Sequence, residues 1–497
     1  MSLIKKLAGD TAVYGLSSVL GKVLNYLLVP LYTAVFAEGD YGIVSELYAY
    51  TAFVMIVLLY RMETSFFRYG AEKEDRKNVY NTALSSILIS TLLFSVAFLL
   101  LLNPFADLIK LREVHRPLLL LLIFIWAMDV LSELPYARLR LEGKAWRFAS
   151  VKLTNIGVNI SLNLFFLLLC PLLLERGIGV IFIESWYDPD FGIGYVFVAN
   201  LIASLTALLM LIPQWEGFRL NIDKLLWKKM LLYSGPLIIA GLAGITNEML
   251  DRILLKHLLP YSLEENERQL GIYAACYKLA IFMALFTQAF RYAAEPFFFQ
   301  QAKNSKAPDL YAAIGKYFVI VGLFAFLLVS LYLDIFQYFL RREGYREGLA
   351  VVPILLMANL FLGLYYNLSV WYKLTDKTIM ATWIGLGGAL ITIVLNIWWI
   401  PVFGYMGSAW ATFICYGLMC IASYHLGKKH YRLPYDWRRI FAYTLIAVAI
   451  FFFHSILLEL MISGDLLYLV RALLIFTFVF IVGYCEKNNL RALVRVE

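Results

Sequence analysis

The sequence has little charge and no long polar stretch. Of its 497 residues, 16% are Asp, Glu, Lys or Arg, and 62% are hydrophobic. A soluble domain needs a polar surface, and no segment between the apolar runs is long enough to supply one. Cysteine is scarce and odd in number, five residues with no CxxC spacing. That excludes a disulfide framework and a cysteine metal site. The five histidines, His115, His257, His425, His430 and His454, are scattered without ligand spacing. No HExxH, Walker A loop or GxGxxG after a strand occurs, so the common hydrolytic and nucleotide-binding motifs are missing. Asp188-Pro189-Asp190 has the DxD form, and Glu38 and Asp40 are paired acids. Both pairs sit in short loops that leave no room for a catalytic face, so the chain is not expected to be an enzyme and calls for no metal or organic cofactor. The net charge of +8 lies in loops between apolar runs, which topology requires. It does not point to nucleic acid as a partner.

What fills the sequence is a succession of apolar runs. They centre on residues 11–36, 42–60, 79–103, 117–137, 149–175, 192–213, 230–257, 270–290, 311–336, 349–372, 379–400, 406–426, 440–460 and 467–485. Runs of this length predict about 14 transmembrane helices. Their continuity, without alternation, excludes a β-barrel. The expected fold class is an all-α polytopic membrane protein. Most lysines and arginines fall in alternate loops, among them Lys5, Lys6, Arg76, Lys77, Arg138, Arg140, Lys428 and Lys429. This bias places both termini in the cytoplasm. The start, MSLIKKLAGD, is expected to form a short surface helix.

The chain repeats itself at a spacing near 230. Tyr41-Gly42-Ile43 matches Leu270-Gly271-Ile272, Tyr48 matches Tyr277, and Asn163 matches Asn396. Gly194 matches Gly407 after an insertion around Glu184–Phe191. Each half holds six spans, so the repeats run in parallel, an arrangement that places a substrate site where transporter halves meet. The expected domains are 1–220 (spans 1–6), 221–430 (spans 7–12) and 431–497 (helices 13–14).

Charges inside spans cost about 2.5–3.5 kcal/mol each, so they mark function or internal pairing. Lys22 and Arg252 occupy equivalent places in the repeat, and Lys278 adds a third cation on the next helix. Cations converging on a cavity suit two linked phosphates, so these three are the candidate diphosphate ligands. The alternative is local pairing, Arg252 with Glu248 and Lys278 with Asp251, with Lys22 reaching to the boundary. Arg61 and Arg291 are also repeat equivalents at helix ends, candidates for an inner gate or head-group contact, or for simple positive-inside anchors. Glu46, Asp129, Glu133, Glu248 and Asp251 are candidate ion-coupling acids, with structural pairing as the alternative. Asp129 and Glu133 share a helix face. Asn25 and Asn247 are candidate glycan contacts. Asn155, Asn159 and Asn163 form a stripe suited to interhelical hydrogen bonds.

Three stretches carry a resemblance. Gly15 to Tyr32 (GLSSVLGKVLNYLLVPLY) with Tyr41-Gly42 is the first. Asp251-Arg252-Ile253-Leu254 with Gly271-Ile272-Tyr273-Ala274-Ala275-Cys276-Tyr277-Lys278 is the second, and the twelve-helix repeat with two added helices is the third. Together they resemble the polysaccharide-exporter branch of the multidrug/oligosaccharidyl-lipid/polysaccharide (MOP) superfamily. The resemblance extends to lipid II flippases. It implies a flippase for undecaprenyl-diphosphate-linked oligosaccharide in the bacterial inner membrane, working by alternating access and coupled to a proton or sodium ion. It also implies two six-helix lobes forming a V, a monomer, membrane lipids around it, and a polysaccharide polymerase as partner. Lipid II transport is the first alternative, and multidrug antiport, which fits the cations less well, is the second.

Overall fold

The computed structural model describes residues 14–494, apart from 16, 18, 73–74, 302–306 and 460–464. The expected N-terminal surface helix lies outside these residues. Among the described residues the chain is helical and forms no strand.

The first helix, α1 (Val19–Val35), is short and apolar. It stops at Phe36, whose backbone turns extended, and α2 (Glu38–Leu59) starts with Glu38 and Asp40 in its first turn. Acids there face the positive end of the helix dipole. Tyr60 and Arg61 then adopt left-handed φ values of 32° and 56°, and α3 (Met62–Tyr69) resumes in a new direction. The helices α4 (Arg76–Leu100), α5 (Pro117–Leu141), α6 (Ala145–Leu164) and α7 (Gly194–Leu211) complete the first half. A single π turn, Phe165–Leu169, continues α6 toward Pro171. A wide turn before a proline spares the hydrogen bond that the ring nitrogen cannot donate.

The second half opens with two long helices, α8 (Lys224–Leu258) and α9 (Leu263–Gln301), of 35 and 39 residues. A span needs about 20 residues, so their ends extend beyond the apolar stretch. Then follow α10 (Ala307–Leu331), α11 (Val351–Leu368), α12 (Ile379–His430), α13 (Trp437–Glu459) and α14 (Asp465–Val494).

Twelve of the described helices are long and apolar enough to cross a membrane. The remaining expected spans are accounted for by α1 and by α12. The 52 residues of α12 break at Gly404 (φ 59°, ψ −145°), so this element carries two spans. Large apolar side chains such as Leu93, Leu100, Trp398 and Phe476 are exposed along these helices. Water would not tolerate that surface, whereas hydrocarbon would. The chain is a multi-pass helical membrane protein.

Two compact units emerge, Met1–His257 with Tyr261–Gly271, and Leu258–Pro260 with Ile272–Glu497. The core of the first centres on Trp126, which is 1% exposed. Its indole N–H donates to Thr51 Oγ1 at 3.0 Å, tying α5 to α2. The buried Ser65 and Ser234 hydroxyls meet at 2.8 Å and join α3 to α8. The repeat glycines Gly42 and Gly271 face each other within this unit. A Cβ on Gly271 would collide with the Glu38 carbonyl, and one on Gly42 with that of Glu267. Only glycine permits backbones to approach this closely.

The repeat also survives in the polar core. Asn163 is fully buried and donates to the Asn159 carbonyl at 2.8 Å, while accepting from Tyr32 of α1 at 2.9 Å. Its counterpart Asn396 in the second unit is equally buried. It donates to the Thr392 carbonyl at 2.7 Å and accepts from Ser408 at 2.8 Å, across the Gly404 break. Asn163 thus fills the interhelical role expected of the asparagine stripe.

Candidate functional site

In the first unit, α8 concentrates the polar residues foreseen from the sequence. Arg252 is 6% exposed. Its Nη1 donates to the Glu248 carbonyl at 2.6 Å and contacts Asp251 Oδ1 at 3.2 Å, and its own backbone N–H donates to that same oxygen at 2.8 Å. Neighbours in sequence point to different faces of a helix, so Asp251 reaches Arg252 only by folding back along the backbone. The pair is local. It places a compensated guanidinium, whose charge partner is Asp251 and not Glu248, within the last two turns of α8. Asn247 is buried on the turn before.

Glu248 faces a cavity of about 420 Å³, lined also by Ile56, Arg61 and Thr64 and by the small residues Ala240, Gly241 and Gly244. Arg61 enters it from the left-handed break between α2 and α3. A Cβ on Gly241 would lie 2.7 Å from Arg61 Nη2, so glycine makes space for the guanidinium. Arg61 is only loosely paired with Glu63, at 3.7 Å. Arg61 and Glu248 are therefore brought to one cavity, which the repeat had not indicated.

On α1, Lys22 and Asn25 are exposed, and Lys22 forms no ion pair among the described residues. In the second unit Lys278 is half-buried on α9. The Arg291 guanidinium lies over the Tyr366 ring at 4.9 Å. Asp129 sits beside Ser204 and Lys152. The Lys152 ammonium lies over the Tyr136 ring at 4.2 Å, and Asn200 donates to Tyr48 at 3.0 Å nearby. Asp129 and Glu133 thus look into a polar seam among α2, α5, α6 and α7.

Sequence reasoning singled out Glu46 but missed the buried charges that surround it. The side chains of Lys256, Glu46 and Glu267 are all 0% exposed. Lys256 Nζ lies 2.8 Å from Glu46 Oε2 and 3.4 Å from Glu267 Oε1. Arg112, partly exposed, reaches Glu267 Oε2 at 2.9 Å. His257 approaches Glu46 at 3.9 Å and the Tyr50 hydroxyl at 3.3 Å. One ammonium is shared by two carboxylates from α2 and α9. Of these residues Glu46 alone lay well within an apolar run. Lys256 and Glu267 fell at run ends, where charges normally anchor loops, yet the long helices α8 and α9 carry them into protein.

The DxD stretch is a turn. Asp188 accepts from the Asp190 N–H at 3.0 Å and caps a short 3₁₀ helix, while its own N–H donates to Tyr195 at 2.8 Å. Among the described residues no three His, Cys, Asp or Glu side chains converge to hold a metal.

No family model matches the chain, and no curated protein matches it. Solved structures do. The chain is similar to the lipid II flippase MurJ in an inward closed conformation, with a TM-score of 0.72 and 12% identity over 96% of this chain and 99% of that one. It is also similar to a multidrug resistance MATE transporter of the MOP superfamily in an inward-facing conformation. There the TM-score is 0.62 at 13% identity, over 84% of this chain and 94% of that one. The MATE multidrug transporter DinF-BH gives 0.60 at 18% identity, over 87% and 96%. At these identities the likeness is one of fold. The chain has the helical fold that these transporters and flippases share.

Proposed function

We propose that this protein is a flippase for polyprenyl-diphosphate-linked oligosaccharide, a precursor of O-antigen, capsule or a similar polysaccharide. In this reading it works in the bacterial inner membrane, both termini cytoplasmic, by alternating access driven by a proton or sodium ion. The observation that carries the reading is the buried Arg252 toward the end of α8, held by Asp251, one turn from Glu248, which lines a chamber with Arg61. A guanidinium maintained in a membrane helix at that cost is a ready partner for a lipid-borne diphosphate, which would displace Asp251. Lys22, exposed and unpaired among the described residues, and Lys278 are the further candidates for that ligand, with Asn25 and Asn247 for sugar hydroxyls. Asp129 and Glu133, in their polar seam, and Glu46, Glu248 and Asp251 are the candidates for ion coupling.

In this reading the isoprenoid tail would lie against the second unit. An apolar cavity of about 650 Å³ there is walled by Val319, Phe361, Leu364, Phe413, Trp437 and Phe441. Fold likeness that extends over α13 and α14 supports a lipid-carrying role over drug export. The MurJ-like match covers 96% of this chain, whereas the two MATE matches above cover 84% and 87%. The same match supports lipid II as the alternative cargo.

Depletion followed by mass spectrometry of lipid-linked sugars separates these cargoes. An oligosaccharide on polyprenyl diphosphate should accumulate, and accumulation of lipid II would select the alternative. Cells that lose resistance to cationic dyes, with no lipid-linked sugar accumulating, would refute both.

A further inference from the structure

A second polar cavity, of about 370 Å³, lies at the end of the first unit where α4 begins and α5 ends. Arg76, Lys77 and Asn81 line one wall, Arg138 and Glu142 the other, and Glu216 stands at the rim. Arg138 is fixed on both sides. Its Nε donates to Glu142 Oε1 at 2.8 Å, and its Nη1 to the carbonyls of Gln214 and Glu216 at 2.6 and 3.2 Å. Tyr80 donates to the Gln214 carbonyl at 3.1 Å as well. These bonds clamp the loop after α7, and a clamp alone would need no open space.

The open space is lined by donors without partners. Asn81 is 7% exposed. Its Oδ1 accepts from the Arg219 N–H at 3.2 Å, but its amide nitrogen donates to nothing among the described residues. That nitrogen is open to the cavity, where a ligand's acceptor would complete it. Lys77 likewise has no partner among the described residues. Arg76 donates to the Gly70 and Ala71 carbonyls at 3.0 and 3.4 Å through Nε and Nη2, which leaves Nη1 free.

The N-terminal turn of α4 adds its own positive end, since Asp75 makes no side-chain cap. Charge is not balanced within the cavity. Glu142 serves two cations, Arg138 at 2.8 Å and Lys144 at 2.7 Å. Burial raises its carboxyl, but Lys144 and Arg138 outweigh burial and hold it below the usual range. It therefore stays an acceptor for them. Arg76, Lys77 and Arg138 thus line the space with two carboxylates, Glu142 and Glu216, which leaves one positive charge in excess beside the Asn81 amide donor.

Both α4 and α5 are candidate spans, so their ends lie level with lipid head groups. Basic pockets between helices at that level take anionic head groups. We propose that this cavity binds a phosphate group at the membrane boundary, carried by an anionic phospholipid or free in solution. Its role is independent of the cargo, and it is tested on the purified full-length protein without any transport measurement.

Native mass spectrometry would be run with phosphatidylglycerol, with phosphatidylcholine and with inorganic phosphate. Phosphatidylglycerol should bind in preference to phosphatidylcholine, and Lys77→Glu should weaken that binding about tenfold. Arg76→Gln should weaken it less. Lys77 is exposed, so its variant should melt like the parent in the absence of lipid. Arg432→Glu makes the same charge change in the second unit and should leave binding intact. Binding of inorganic phosphate that Lys77→Glu removes would support the site with a soluble source of the phosphate. Phosphatidylglycerol binding that survives Lys77→Glu, or falls equally with Arg432→Glu, would overturn the assignment, as would binding of neither probe.

Discussion

Two buried ion clusters, one in each unit, use the same residue types and are closed differently. In the second unit Glu486 of α14 is 1% exposed and receives four donors. Lys316 and Tyr317 of α10 bond one oxygen, and Arg439 and Tyr443 of α13 bond the other. In the first unit Glu46 and Glu267 share Lys256. There Glu46 Oε1 and both oxygens of Glu267 have no hydrogen bond of good geometry among the described residues. A satisfied buried carboxylate is a fixed joint. One that is only partly satisfied keeps the cost of burial without the full return, and can re-pair at small expense. The Glu486 cluster has the character of a joint that docks the two added helices. The cluster around Lys256 has the character of a movable contact, located where α9 leaves the first unit at Gly271.

The largest test of this contrast is Glu486→Ala. It strands Lys316, whose side chain is 8% exposed. The loss should be about 3–5 kcal/mol, the usual cost of an uncompensated buried charge. Thermal unfolding in lipid nanodiscs would show it as a large fall in melting temperature. Glu267→Gln should cost less, about 1–2 kcal/mol, because its hydrogen bonds are poorly formed to begin with. It should nonetheless slow transport more than any surface substitution. If Glu267→Gln proved as destabilising as Glu486→Ala, with transport per folded molecule unchanged, the two clusters would be equivalent and the contrast would fail.

A smaller effect belongs to Asp223, which caps α8. Its carboxylate accepts from the Leu226 and Leu225 N–H groups at 3.1 and 3.0 Å and from Asn78 at 3.3 Å. The Leu226 bond first, then Asn78, holds its carboxyl below the usual carboxylate value. A depressed folded value means that the stabilisation is present above about pH 4, the ordinary range for Asp, and is lost as pH falls through the folded value. Asp223→Ala should lower the melting temperature slightly at neutral pH and not at all well below pH 3, as a pH series of melts would record.

Much of the fold was legible because a membrane span leaves an unmistakable apolar run. The runs at 379–400 and 406–426 are two spans joined without a loop, because Gly404 breaks α12 and turns the chain so that Ser408 meets Asn396. The repeat was legible in Gly42 and Gly271, whose close approach needs glycine on both sides. Candidate site residues stood out where a charge interrupts an apolar run, as at Glu46, Asp129, Asp251 and Arg252. Lys256, Glu267 and Arg112 escaped notice because they lie at the ends of runs. Sequence pattern cannot tell a charge that meets water from one that a long helix carries into protein. The free donors around Asn81 escaped for a related reason, since an amide near a helix start looks like any solvated polar residue.

The central claim is that a buried guanidinium on α8 serves a lipid-borne diphosphate. It is tested most directly by reconstituting the purified protein in liposomes with a fluorescent polyprenyl-diphosphate oligosaccharide. Loss of signal to a membrane-impermeant quencher then reports translocation. The wild-type protein should move the probe across the bilayer, and Arg252→Gln should abolish movement per folded molecule. Because the variant takes the guanidinium away from the buried Asp251, its melting temperature falls as well, by up to about 3–5 kcal/mol of stability, and translocation is therefore normalised to folded protein. Equal translocation by the two proteins would contradict the account.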